Sequence, residues 1–175
     1  YMEEAFAKYR IPVFMDYKRS ILLNSFVEYV RSILNVAEQS FTYESVFRFL
    51  RAGYGPFTDD EVDELENYCL ALGIRGYKNW QQRWVRKGAD VTEDELEHLN
   101  HLRVKLVELV DGLLFVLRQR KKTVRDITEA LYRFLEEQGL QQELKQQEDA
   151  FTEEGELALA REYAQVYSAL IGLFD

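Results

Sequence analysis

The sequence predicts an all-α protein, an irregular bundle of six or seven helices with at most one short strand near its start. Three observations lead to this prediction. Apolar residues recur at helical spacing along most of the chain. Only 2 Pro and 9 Gly occur among the 175 residues, which leaves room for long helices. Brief polar or glycine-containing connections separate the helical stretches, and helices joined this closely pack against one another as a bundle.

The start of the chain is the part where a strand is expected. Residues 11–15 (IPVFM) are mostly β-branched or aromatic, and Pro12 restricts such a run to the start or the edge of a strand. A short helix or the tail of one precedes this run. We therefore expect an arm over residues 1–20 that leads into a single helical domain over residues 21–175.

Capping residues mark where several helices begin and end. Thr58 and Glu61 can form a capping box, in which each side chain accepts a hydrogen bond from the backbone of the other, and Thr92 and Glu95 can form a second. Gly73 predicts a left-handed end to the helix that Thr58 begins. The predicted helices span residues 21–37, 42–52, 58–72, 92–120, 123–138, 141–149 and 156–174.

Composition limits the classes of function. A net charge of −9 counts against nucleic-acid binding by the whole surface, because phosphate binding depends on Lys and Arg. A single cysteine, Cys69, excludes an internal disulfide and a cysteine-based metal cluster within this chain. There is no membrane-spanning apolar run and no signal peptide, so we expect a cytoplasmic protein without a membrane partner. Both ends lie inside helical patterns, which indicates a piece of a longer protein.

The basic and aromatic segment 75–87 is the best candidate for a functional surface. Nucleic-acid bases stack on aromatic rings while cations hold phosphates. The competing interpretation, which we favour for the pattern alone, is that both tryptophans pack into the bundle and the cations are solvated. A second basic patch, residues 118–122 with Arg125, can bind phosphate or complement the dipole of a helix end. The candidate DNA-binding residues are Tyr77, Trp80, Arg83, Trp84 and Arg86.

The remaining reactive side chains indicate structural roles. His98 and His101 lie three residues apart and, with Glu95 or Glu97, can supply half of a metal site, but no second pair of ligands accompanies them. Cys69 lies on an apolar helix face and is expected to be a buried, unreactive thiol. The chain contains neither a P-loop nor a dinucleotide-binding motif.

Short packing motifs recur in order through nearly the whole chain. They are 9–16 (YRIPVFMD) with 18–20 (KRS), Phe26 with 29–32 (YVRS), Tyr43–Leu50, 65–69 (LENYC), 73–76 (GIRG), 122–125 (KTVR), 134–137 (FLEE), and 160–162 (ARE) with Val166. Each motif is weak alone, but as a set they are specific. The set resembles the middle of the B subunit of the AddAB (RexAB) helicase–nuclease family.

The resemblance implies a role in DNA repair without a catalytic site in this chain. The B subunit of that family has a helicase-like body of the UvrD superfamily and a nuclease domain closed by an iron–sulfur cluster, and the complex resects double-strand breaks for recombination. This chain is similar to the 2B-type accessory part. No catalytic, cofactor or metal residue of the family can be assigned here, so ATP, Mg and the cluster would belong to other parts. The implied partners are the motor (A) subunit and, through the complex, DNA.

Two hypotheses of other classes remain from the residues alone. One is a stand-alone helical bundle that binds other proteins as an adaptor. The other is a small metal-dependent hydrolase built around His98 and His101.

Overall fold

The computed structural model describes residues 24–88 and 91–174, except for the side chains of residues 173 and 174. Over these residues it contains eight helices and no strand, so the prediction of an all-α bundle is confirmed. The predicted arm over 1–20, with its strand, lies outside the described residues. The helices are α1 Ser25–Glu38, α2 Tyr43–Leu50, α3 Asp59–Leu72, α4 Tyr77–Gln81, α5 Glu93–Leu117, α6 Val124–Glu137, α7 Leu140–Glu153 and α8 Leu157–Phe174.

For residues 76–88 the sequence does not decide between a short helix and a loop, and the structure places the helix α4 there. It has five residues, which is too short for apolar periodicity to show. None of the helices within 24–88 and 91–174 is long and apolar enough to cross a membrane.

The predicted capping boxes are confirmed. The Thr58 hydroxyl accepts a bond of 3.2 Å from the Glu61 backbone, and the Glu61 carboxylate accepts one of 2.9 Å from the Thr58 backbone. Thr92 and Glu95 bond in the same way at the start of α5. Gly73 ends α3 with φ 65°, the left-handed value that glycine adopts without strain. These boundaries form locally because the residues that make them lie within four positions of each other.

The long helix α5 ends earlier than predicted, at Leu117 rather than near residue 120. The Arg118 backbone N–H bonds to the Leu114 carbonyl at 3.0 Å, and the Gln119 N–H bonds to the Val116 carbonyl three residues before it at 3.1 Å, which tightens the last turn. The Lys122 ammonium then donates to the carbonyl oxygens of Leu117 and Gln119, at 2.6 and 3.2 Å. Unpaired carbonyls at the end of α5 are thus satisfied by a side chain that follows the helix.

Aromatic rings join α1, α2 and α6 in the core. The Tyr29 ring lies 5.0 Å from Phe49 and stacks on Phe134 at 6.1 Å, measured between ring centroids. The Tyr29 hydroxyl donates a 2.7 Å bond to the Gln138 side chain, so its one polar atom is satisfied although the residue is fully buried. Helix α8 packs along α7, and α7 against α6, which extends the bundle from this core.

A strained turn between α1 and α2 supports the start of α4. Ser40 and Phe41 have φ 55° and 62°, values that side-chain-bearing residues rarely adopt. Phe41 is nonetheless buried, its N–H donates to Val36, and its carbonyl accepts a 2.8 Å bond from Gly76. The turn therefore fixes the backbone from which α4 begins.

Candidate nucleic-acid interface

Both tryptophans of the segment 75–87 are buried. Trp80 is 1% exposed and Trp84 is 5% exposed. Their rings lie 5.1 Å apart, edge to face, and Tyr68 stacks on Trp84 at 4.9 Å. Phe41 and Phe47 each lie 6.4 Å from Trp80. This geometry supports the packing interpretation for both indoles, and base stacking on them would require the segment to open. DNA binding by the segment as a whole stays a prediction.

A buried asparagine on α5 holds this segment in place. The Asn100 side chain accepts a 2.9 Å bond from the Trp84 N–H and donates a 2.9 Å bond to the Trp84 carbonyl. It thus satisfies both backbone groups of a buried residue that lies outside any helix. Asn100 was not predicted from the sequence, although a lone amide among the leucines of an apolar helix face is a signal for such a role.

Arg103, which interrupts the apolar face of α5, serves the same segment. Its guanidinium donates a hydrogen bond of 2.7 Å to the Trp80 carbonyl and one of 3.1 Å to the Asn100 side-chain oxygen. The residue is 7% exposed, and burial lowers the pKa of its guanidinium below the usual value. Arg103 and Asn100 therefore dock the end of α4 and the chain that follows it onto α5.

Two cations of the segment are engaged by acidic residues of α5. Arg83 forms an ion pair with Glu97, and Lys87 forms one with Glu93. Arg86 has an exposed side chain, while its carbonyl accepts a 2.7 Å bond from the Tyr68 hydroxyl. Because neighbouring carboxylates offset two of these charges, the segment attracts phosphate less than its composition indicates.

Tyr77 brings the two basic stretches of the sequence together. The Arg118 guanidinium lies over the Tyr77 ring, 3.7 Å from the centroid, in cation–π geometry. The Tyr77 hydroxyl donates a 2.6 Å bond to Asp111 on α5. Burial, with that bond, raises the pKa of Tyr77. The start of α4 and the end of α5 thus form one surface.

The residues 118–122, named here the basic loop, are exposed between α5 and α6. Arg118 is held over Tyr77, and Lys122 over the end of α5. Within the described part of the chain, Arg120 and Lys121 form no hydrogen bond or ion pair. Their charges are therefore open to a ligand.

The histidines and the cysteine are placed apart from this surface. The Nε2 atom of His98 lies 3.1 Å from the Glu64 carboxylate of α3. Among the described residues no three His, Cys, Asp or Glu side chains are grouped so that they could hold a metal ion. Cys69 is 1% exposed, as predicted, and burial raises the pKa of its thiol to about 12.

Three proteins that are similar to this chain have the same name. The chain is 37% identical over 168 residues to a protein of Lachnoclostridium phytofermentans, 35% over 170 residues to one of Clostridium novyi, and 34% over 179 residues to one of Clostridium acetobutylicum. Each of the three is named as the B subunit of an ATP-dependent helicase/deoxyribonuclease. The matches cover 94–97% of this chain and 15–16% of the relatives.

No protein-family model matches the chain. The curated relatives nevertheless agree with the resemblance seen in the packing motifs, and their identity to this chain extends over nearly all of it. The chain therefore belongs to the family of the ATP-dependent helicase/deoxyribonuclease B subunits and corresponds to about 15% of the length of its members.

Proposed function

We propose that the chain is a non-catalytic, 2B-like helical domain of a helicase–nuclease subunit that acts in the resection of double-strand breaks. In this proposal it lines the path of DNA beside the motor subunit. The observation that carries the proposal is the identity of 30–37% to subunits of that name along almost the whole chain. The surface formed by Tyr77 and the basic loop supplies the cations that a DNA path needs.

The acidic side chains clustered at the starts of α3 and α5 have structural roles. Glu61 caps α3 and also accepts bonds of 3.1 and 3.2 Å from Lys105. Glu95 caps α5. Asp59 and Asp60 lie in the first turn of α3, where acidic groups complement the helix dipole. These roles support a scaffold rather than an acid–base or metal-binding function.

Neutralising the first turn of α3 tests the non-catalytic part of the proposal. The complete subunit carrying Asp59→Asn and Asp60→Asn would be reconstituted with its motor subunit, and ATP hydrolysis and DNA cleavage would be measured. We expect both rates to equal those of the unmodified enzyme, since these carboxylates serve the helix start. A loss of cleavage with an unchanged melting temperature would show that the carboxylates are catalytic and would refute the proposal.

A further inference from the structure

An exposed aromatic side chain lies at the end of α5, beside the basic loop. Phe115 is 69% exposed, in the last turn of the helix. It borders a cavity of about 360 Å³ whose lining includes Tyr77 and Gln81 of α4 together with Asp111, Arg118 and Gln119. Single exposed apolar side chains are common on protein surfaces, so it is the cavity and the charges beside Phe115 that indicate a ligand.

The charges around this ring favour an anionic ligand. Five cations and no acidic residue occur from Arg118 to Arg125, in a chain whose net charge is −9. Arg125 is paired with Glu129, while Arg120 and Lys121 have no partner among the residues that the structure describes. Two uncompensated positive charges thus lie within six residues of Phe115 in the sequence.

The cavity itself suits a base better than a phosphate. Asp111 places a carboxylate in its wall, which would repel a phosphate there. Gln81 and Gln119 offer amide groups that can hydrogen-bond to the edge of a base. A flat ring beside such groups, with cations at the rim, is the arrangement that binds single strands: bases stack on the aromatic while the cations follow the backbone.

We infer that Phe115 and the basic loop form a binding site for single-stranded DNA, in which a base stacks on Phe115 and phosphates contact Arg120 and Lys121. The site lies at the C-terminal end of α5. The paired cations Arg83 and Lys87 contact the other end of this helix, at Glu97 and Glu93. This inference rests on the proposed function and names the residues through which the domain would hold DNA. It replaces Trp80 and Trp84 as the stacking residues, because both are buried.

The test is the affinity of the 175-residue chain for a fluorescein-labelled oligothymidylate, followed by anisotropy at low salt. Phe115→Ala is expected to weaken binding about tenfold, since base–aromatic stacking contributes about 1–3 kcal/mol per base. Phe115→Trp should restore the affinity, because it keeps a stacking face. The matched control is Leu70→Ala, which removes an apolar side chain that is 66% exposed on α3 and should leave the affinity unchanged.

A charge reversal tests the phosphate contacts. Lys121→Glu should weaken binding at low salt and reduce the salt dependence of the affinity. Arg161→Glu, on the exposed side of α8, changes the net charge equally and should have a much smaller effect. Thermal melts of every variant establish that each is folded.

The outcomes separate this inference from the proposed function. If the unmodified chain binds the oligonucleotide and Phe115→Ala binds equally well, the inferred site is wrong while the DNA-path role stands. If the folded, unmodified chain does not bind at low salt, the DNA-path role itself fails. If Phe115→Ala instead abolishes only the association with the motor subunit, the ring belongs to a protein interface and the inference is overturned.

Discussion

The substitution Asn100→Ala tests how the segment 75–87 is held on α5. It leaves the N–H and the carbonyl of Trp84 without their partners, at a residue that is 5% exposed. Each buried group left unpaired costs about 1–3 kcal/mol. Alanine recovers about 0.5 kcal/mol through its higher helix propensity. We therefore expect the free energy of unfolding to fall by about 1.5–5.5 kcal/mol, a large part of the about 5–15 kcal/mol that is typical of a domain.

Urea unfolding followed by tryptophan fluorescence measures this loss, since the Trp84 backbone is bonded to Asn100 and the Trp80 and Trp84 rings lie 5.1 Å apart. Asn100→Asp should also destabilise the fold, because it keeps the oxygen that accepts from Trp84 and Arg103 but sets its second oxygen against the carbonyls of Trp84 and Leu96. Asn67→Ala, at an exposed position of α3, is the matched control and should cause no loss. A loss of less than about 1 kcal/mol for Asn100→Ala would refute the idea that this side chain holds the segment.

Three further predictions concern other parts of the fold. The Cys69 thiol should not react with a thiol reagent in the folded chain at pH 8, since it is buried and burial raises its pKa to about 12. It should react once the chain is denatured. Fast reaction in the folded chain would contradict its burial. Ser40→Gly should raise the melting temperature, because a left-handed residue with a side chain costs about 1–2 kcal/mol and glycine avoids that cost; an unchanged or lower value would refute the strain. The hydrogen bonds from Thr92 lower the pKa of Glu95, so the stabilising effect of Glu95 is present above its unfolded pKa and is lost as the pH falls through its folded pKa. Glu95→Gln should therefore lose less stability than the unmodified chain between pH 7 and pH 3. Equal losses would contradict this linkage.

The helices and their caps could be predicted because their signals are local. Thr58 with Glu61, and Thr92 with Glu95, bond within four residues, so the sequence alone carries the geometry. The apolar periods that predicted the bundle are local in the same sense. The burial of Cys69 followed from such a period.

The candidate site could be predicted only in part, because it depends on contacts between distant segments. Asn100 and Arg103 acquire their roles only when residues 80–84 dock on α5, and no local pattern indicates that docking. Phe115 lies in a helix whose other apolar residues are mostly buried, so its exposure was not visible from periodicity. The contact of Arg118 with Tyr77 joins residues 41 positions apart in the sequence.

We propose that this helical domain contacts DNA through the surface at the end of α5. The most direct measurement is the salt dependence of the affinity of the unmodified chain for a labelled duplex with a single-stranded tail. Two or three phosphate contacts from the basic loop predict saturable binding, with a slope of log affinity against log salt of about −1.4 to −2.1 on the single-stranded part. Absence of saturable binding at low salt, by a folded chain, would contradict the claim and leave the domain with a purely architectural role.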